Sequence, residues 1–191
     1  MEFNRVAICG SHSCGKTTLI NELKKHMVFE THPVIAELAA KFPPETRLNM
    51  DTQFKIMQQQ VIAEVTYTKN YGKFLSDRSV VDNLAYSTMV NKSHKNEMIY
   101  KRCVGLAYSH LYALIPPYDM LIFVDEILPY KEAAHRNFSR LEDQKFIYYF
   151  IGDELTKLKI PVVCVMGSTK ERVVTILEFI KENQEYKNVR N

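Results

Sequence analysis

Short apolar runs alternate along the chain with longer stretches in which apolar positions recur every three or four residues. The runs at 5–10, 34–38, 73–77, 120–125 and 161–166 are largely apolar and too short for ordinary helices, which predicts strands buried on both faces. The amphipathic stretches at 16–27, 51–70, 80–90, 95–114, 140–157 and 170–182 predict helices. Asp51 or Thr52 is placed to cap the second of these, and Ser168 or Thr169 the last. Strands and helices in alternation imply an α/β fold, a parallel sheet covered by helices. Pro43-Pro44 and Pro116-Pro117 are breaks, and the polar tail at 183–191 is expected to fray. No repeat, low-complexity tract or linker divides the chain.

A chain of 191 residues without a linker predicts one domain spanning 1–191. Hydrophobic content of 46% and charged content of 25% are ordinary globular values, so a full core is expected. A net charge of +3 is too mild to argue for nucleic acid by itself. Tyr (11) and Phe (10) are plentiful while Trp is absent, which leaves aromatic material for the core and for base stacking. Cys9, Cys14, Cys103 and Cys164 show no C-x-x-C spacing. They read as reduced, small apolar residues, with Cys9 and Cys164 inside strand patterns and Cys14 either open to oxidation or simply at a variable loop position. The first strand begins almost at once and no apolar stretch reaches membrane-spanning length. The expectation is a cytoplasmic protein with no membrane partner.

The run Gly10-Ser11-His12-Ser13-Cys14-Gly15-Lys16-Thr17 fits G-x-x-x-x-G-K-[ST], and it stands between a strand pattern and a helix pattern. Glycines at both ends let the backbone wrap so that successive N–H groups face phosphate oxygens, and the helix that follows adds its positive end. Lys16 then reaches the β- and γ-phosphates of ATP, and the Thr17 hydroxyl holds Mg²⁺, with Thr18 beside it.

Other candidate residues surround this loop. Asp77-Arg78-Ser79 follows the third strand, where a parallel sheet presents ligand-facing residues; Asp77 suits the Mg²⁺ shell or an attacking hydroxyl, and Arg78 a phosphate. A strand-end Asp capping a helix would look the same. Asp125-Glu126 after the fourth strand is a rival carboxylate pair, the arrangement by which a hydrolytic ATPase supplies a Mg²⁺ ligand and a water-activating base. His135, Arg136 and Arg140 fall in a stretch that reads either as a basic lid at about 128–143 closing on the phosphoryl group, or as a solvated helix face. Glu37 ends the second strand, as a base for an acceptor hydroxyl or as a turn residue. Gln53, Gln60 and Glu64 share one helix side with Met57, beside the row Phe54, Val61 and Val65. The Gln amides suit a base edge and Phe54 a stacking platform, or the whole set is a core helix with a polar flank. The loop Gly167-Ser168 leading to Arg172 either lines the adenine or is a plain turn.

In these segments the chain resembles small P-loop kinases of the nucleoside and nucleotide class, the AAA-type ATPase/kinase branch that includes nicotinamide riboside kinase domains, thymidylate kinases and deoxynucleoside kinases. The resemblance rests on Ile8–Thr18 and Asp77–Tyr86, with Gly167-Ser168 and Arg172 more loosely. It implies a three-layer sandwich around a five-stranded parallel sheet in order 2-3-1-4-5. It also implies Lys16 and Thr17 serving ATP and Mg²⁺, Asp77 near the metal or acceptor, and Arg78 near the phosphates. Glu37 would be the base, with Asp82 and Tyr86 positioning the acceptor or packing. The chain departs from many relatives in carrying Leu38-Ala39-Ala40 after Glu37, where an Arg is usual. The resulting reading is an ATP- and Mg²⁺-dependent kinase of a nucleoside or nucleotide. A kinase acting on a hydroxyl in nucleic acid, such as a hydroxymethylated base in phage DNA, and a nucleotide-hydrolysing switch are the alternatives. A homodimer is left open, and the segment 94–117 is unassigned.

Overall fold

All five apolar runs pair side by side in one parallel sheet of order β2-β3-β1-β4-β5 in the computed structural model, which describes residues 3–127 and 141–188. The strands are β1 (Arg5–Cys9), β2 (Val34–Ile35), β3 (Phe74–Asp77), β4 (Met120–Val124) and β5 (Val162–Val165). The central strand β1 runs beside β3, with Ile8 opposite Asp77, and beside β4, with Cys9 opposite Phe123. Helices α1 (Lys16–Leu23), α2 (Met27–Glu30), α3 (Met50–Tyr71), α4 (Val80–His94), α5 (Glu97–Leu111), α6 (Leu141–Lys157) and α7 (Thr169–Asn188) connect or flank the strands.

The two faces of the sheet bury separate cores, and the period of two along each strand divides them. On β1, Val6 and Ile8 join Leu19, Leu23 and Ile176 of α1 and α7. Ala7 and Cys9 face the other way, into a larger core with Met57, Leu84, Ala107 and Ile151 of α3 to α6. β4 repeats the pattern, with Ile122 in the first core and Leu121 and Phe123 in the second. At the amino edge Arg5 closes β1 onto β4 through a bidentate pair with Asp119, Nη2 to Oδ1 at 2.5 Å and Nε to Oδ2 at 3.1 Å.

The elements follow the sequence pattern, with a few shifts. The helix expected at 16–27 ends at Leu23, and the short α2 follows it. The run at 34–38 forms strand over Val34–Ile35 alone, because two 3₁₀ turns, Leu38–Lys41 and Pro44–Leu48, carry the chain away from the sheet. α3 is capped by Asn49, whose side chain accepts from the Asp51 amide at 2.7 Å, so the cap lies upstream of Asp51 and Thr52. α4 runs on to His94 and α7 to Asn188, past the expected ends. The helix expected at 95–114 forms as α5 over Glu97–Leu111, with Asn96 accepting from the Ile99 amide at 3.3 Å. Cys164 is exposed on the edge strand β5, whereas Cys9, Cys14 and Cys103 are buried, so Cys164 is no core residue. No described helix is long and apolar enough to cross a membrane.

Leu121 stands fully buried in the central part of the sheet. Leu121→Ala is expected to cost about 2–5 kcal/mol. In a domain of this size that corresponds to roughly 5–15 °C in Tm. Thermal denaturation followed by circular dichroism measures it, and a smaller loss would mean the site collapses onto the cavity.

Candidate active site

The phosphate loop is the turn from the end of β1 into α1, and its bend is set by backbone that few side chains tolerate. Gly10 has φ 150°, Ser13 φ 64° and Gly15 φ 89°. A Cβ on Gly10 would stand 2.9 Å from Cys14 Sγ and 3.3 Å from Val124 Cβ, so the close approach of loop and β4 requires glycine. Lys16 Nζ turns into the loop and donates to the carbonyls of Gly10 at 2.9 Å and Ser11 at 2.6 Å. α1 begins with no side-chain cap and no acidic residue in its first turn, which leaves the positive helix end for an anion. Gly10, Ser11, His12, Cys14 and Lys16 are buried, while Thr17 and Thr18 lie at the exposed mouth.

The end of β3 meets that mouth. Thr17 Oγ1 donates to Asp77 Oδ2 at 2.5 Å, and Asp77 Oδ1 is buried with no hydrogen-bond partner. A hydroxyl beside a carboxylate with a free oxygen is the donor set by which a protein holds Mg²⁺ through one or two hard ligands, and these residues fit that ion. Among the described residues no group of three or more His, Cys, Asp or Glu side chains is placed to chelate a metal.

Arg78 follows in a left-handed conformation, φ 91°, which for a residue with a branched-free but long side chain costs of order 1–3 kcal/mol. The kink turns its buried guanidinium toward β2, where Nη2 meets Glu37 Oε1 at 3.0 Å. Its carbon Cζ lies 4.7 Å from the centre of the Tyr86 ring. Arg78 Nε is buried without a hydrogen-bond partner. Arg78 holds the Glu37 carboxyl below its ordinary value; burial works in the opposite direction, and Lys16 and Arg47 add to the lowering. No Arg follows Glu37 in the chain, and the cation that meets it is Arg78, at the end of the neighbouring strand β3.

Of the other sequence candidates, Asp82 and Gln60 brace the site, while Gln53 and Phe54 serve the packing of α3 away from it. Asp82 is fully buried, with Oδ1 accepting from the Gly10 amide at 3.0 Å and Oδ2 from the Ser79 amide and hydroxyl at 3.0 and 2.9 Å. Both oxygens are thereby used in joining the loop to the cap of α4, and Asp82 is a strut. Gln53 donates to the Arg47 carbonyl at 2.6 Å, tying α3 to the turn before it. Gln60 donates to Glu64, Ser76 and the Arg78 carbonyl beneath the end of β3. Phe54 packs against Met50, Val90, Ile99 and Cys103, and Val65 of the same expected row is exposed. Ser168 exchanges hydrogen bonds with Glu171, its Oγ accepting from the Glu171 amide at 3.3 Å, which caps α7. Arg136 and Arg140, with His135, lie outside the described residues, as does the lid region 128–140.

The rival carboxylates are engaged elsewhere. Asp125 accepts from the Tyr148 hydroxyl, and Glu126 Oε2 accepts from Arg172 Nη2 at 2.6 Å and from the Gly167 amide at 3.2 Å. The Thr17 hydroxyl meets Asp77 and not Asp125. Two further side chains brace the loop: Arg172, already named with the loop after β5, and Gln144, which gave no sequence signal of its own. Arg172 Nη1 donates to the Cys14 carbonyl at 2.6 Å, and Gln144 Nε2 of α6 donates to the His12 carbonyl at 3.0 Å, so α7 and α6 each grip the phosphate loop.

Residues 5–172 match the family described as an AAA domain. No curated protein sequence matches the chain. Among solved structures, deoxyadenosine kinase from M. mycoides with bound dCTP is similar at 14% identity and a TM-score of 0.68, over 93% of this chain and 99% of that one. The same enzyme with bound dATP gives a TM-score of 0.67. NadR in complex with NAD and AMP-PNP is similar at 15% identity and a TM-score of 0.70, over 93% of this chain and 49% of that one, so the chain spans about half of NadR. These likenesses share the sheet order and the P-loop kinase fold. With the family match running from the first residue of β1 to the arginine that grips the phosphate loop, the chain belongs to the AAA-domain family.

Proposed function

We propose that the chain is an ATP- and Mg²⁺-dependent phosphotransferase whose acceptor is a hydroxyl of a nucleoside or nucleotide. The observation that carries this reading is the Glu37–Arg78 pair standing across from the phosphate loop. A carboxylate and a guanidinium at the end of neighbouring strands, beside a Thr–Asp pair, give an acceptor hydroxyl a base and the transferring phosphoryl group a cation. The likeness to deoxyadenosine kinase and NadR in fold supports it, and makes deoxyadenosine and nicotinamide riboside the first acceptors to try.

In this mechanism the loop from Gly10 to Gly15 and the start of α1 bind the ATP phosphates, and Lys16 exchanges its carbonyl partners for phosphate oxygens. Thr17 and Asp77 would hold Mg²⁺, which when bound neutralises developing charge on the phosphate oxygens. Glu37, ionised because of Arg78, accepts the proton of the acceptor hydroxyl as that oxygen attacks phosphorus. Arg78 orients Glu37 and balances charge on the phosphoryl group in flight. Arg140 and Arg136 are the cations that the basic stretch would add, and Gln60 and Asp82 act behind the acceptor by bracing the Arg78 turn and the phosphate loop. Ser168, which caps α7, would line the nucleotide from the loop after β5. Engagement of Asp125 and Glu126 elsewhere favours transfer to an acceptor over transfer to water.

Incubation with γ-labelled ATP and separate pools of nucleosides, nucleotides and oligonucleotides tests the reading. Label is expected in a nucleoside or nucleotide, Lys16→Ala is expected to abolish it, and Glu37→Gln to slow transfer about 10²–10⁴-fold. Label in oligonucleotide alone, or in free phosphate with loss on Glu126→Gln but not on Asp77→Asn, would replace this acceptor.

The depressed carboxyl of Glu37 also sets a pH dependence. Because its folded value lies below the ordinary 4.5, the pair stabilises the fold above that pH, and the contribution fades as pH falls through the folded value. The Tm difference between the unaltered protein and Glu37→Gln is therefore expected to be positive near neutrality and to shrink toward zero in acid. A difference that grows in acid would reverse the assignment.

A further inference from the structure

We propose that Gln60, fixed by the buried carboxylate of Glu64, is a positioning residue that holds the Arg78 turn in its left-handed form and so delivers the guanidinium to Glu37. This rests on the reading of Arg78 and Glu37 given above. A non-glycine residue at φ 91° persists where its surroundings over-determine it, and here each backbone group around it has a partner. The Arg78 amide donates to the Ile8 carbonyl at 3.1 Å, and the Ser79 amide to Asp82 Oδ2 at 3.0 Å. The Arg78 carbonyl accepts from Gln60 Nε2 at 3.4 Å, and the Val80 amide donates to the Tyr118 hydroxyl at 3.0 Å.

The last two bonds trace back to one atom. Glu64 Oε1 accepts from Gln60 Nε2 at 2.6 Å and from the Tyr118 hydroxyl at 2.7 Å, while Oε2 takes His110 Nε2 at 2.7 Å. Glu64 is 1% exposed and Gln60 likewise, so neither amide nor carboxylate has water as an alternative partner. The orientation of the Gln60 amide is fixed by chemistry, because a carboxylate and a carbonyl only accept and both must face its NH₂. One N–H points to Glu64, and the other is shared between Ser76 Oγ at 2.9 Å and the Arg78 carbonyl at 3.4 Å. α3 therefore reaches under the end of β3 and grips the peptides on either side of Ser79. A residue with no direct path to the acceptor then decides where the guanidinium points.

Gln60→Met keeps the volume and removes the donor. Its crystal structure is expected to show residue 78 out of the left-handed region or Arg78 parted from Glu37 beyond the 4.0 Å of an ion pair. Either outcome supports the proposal, and an unchanged turn with the pair still at 3.0 Å overturns it. In steady-state kinetics with the nucleoside or nucleotide labelled fastest above, kcat/KM for that acceptor should fall about 10- to 100-fold, while KM for ATP stays within about 2-fold. The same substitution made on top of Arg78→Ala should cause no further loss, since the two act as one unit; additive losses overturn the proposal. Glu64→Gln, which still accepts from Gln60 and Tyr118, should restore most of the activity that Glu64→Leu loses. If the unaltered protein labels no nucleoside or nucleotide, the reading of function falls, and the crystal structure of Gln60→Met still decides this proposal.

Discussion

The site depends on one carboxylate that water does not reach. Asp82 receives the Gly10 amide with one oxygen and the Ser79 amide and hydroxyl with the other. The phosphate loop, the capping turn of α4 and the kink at Arg78 are thereby held by a single side chain. A buried charge is stable only when its lone pairs are filled by good donors, and here three donors and the Arg78 guanidinium 3.9 Å away fill that role. Loop and helix are fixed relative to each other before any ligand arrives, which is the preorganisation that electrostatic catalysis needs.

Around this strut the charges of the site are paired in a graded way. Lys16 rests on carbonyls of its own loop, a partner set that an anion can replace at little cost. Arg78 faces a carboxylate that is partly exposed, and keeps a buried donor in reserve. Arg172 spends both terminal nitrogens, on Glu126 and on the Cys14 carbonyl, with only Nε buried and unpartnered, and it joins the loop after β5 to the phosphate loop. Mobile, half-committed and fixed cations lie in one shell, ordered by how much their partners give up when phosphate binds.

The strands, the phosphate loop and the Asp77-Arg78 pair were legible because their signals are local: apolar runs, paired glycines, and a carboxylate at a strand end. The partner of Glu37 was not. The chain offers Leu38-Ala39-Ala40 where an arginine was sought, and the cation arrives from β3 because β2 and β3 are neighbours in the sheet. The Gln53, Gln60 and Glu64 row was read correctly as one helix side, but whether that side faces a base or the underside of a strand depends on packing that periodicity does not encode. Cys164 looked like core because a strand at the sheet edge has the same composition as one at its centre. Asn49 was missed as a cap since the 3₁₀ turn before it sets the entry of α3, and that turn leaves little trace in hydropathy.

The order of the strands has a consequence for how the molecule is made. β1 is made before the other four strands, yet its two neighbours are β3 and β4, so its backbone on one side stays unpaired until residue 120 has been synthesised. Such distant pairings slow folding and leave apolar segments open to wrong partners meanwhile. The nascent amino-terminal strand, with Val6-Ala7-Ile8-Cys9 bare on both faces, is the stretch a chaperone would be expected to shelter during translation.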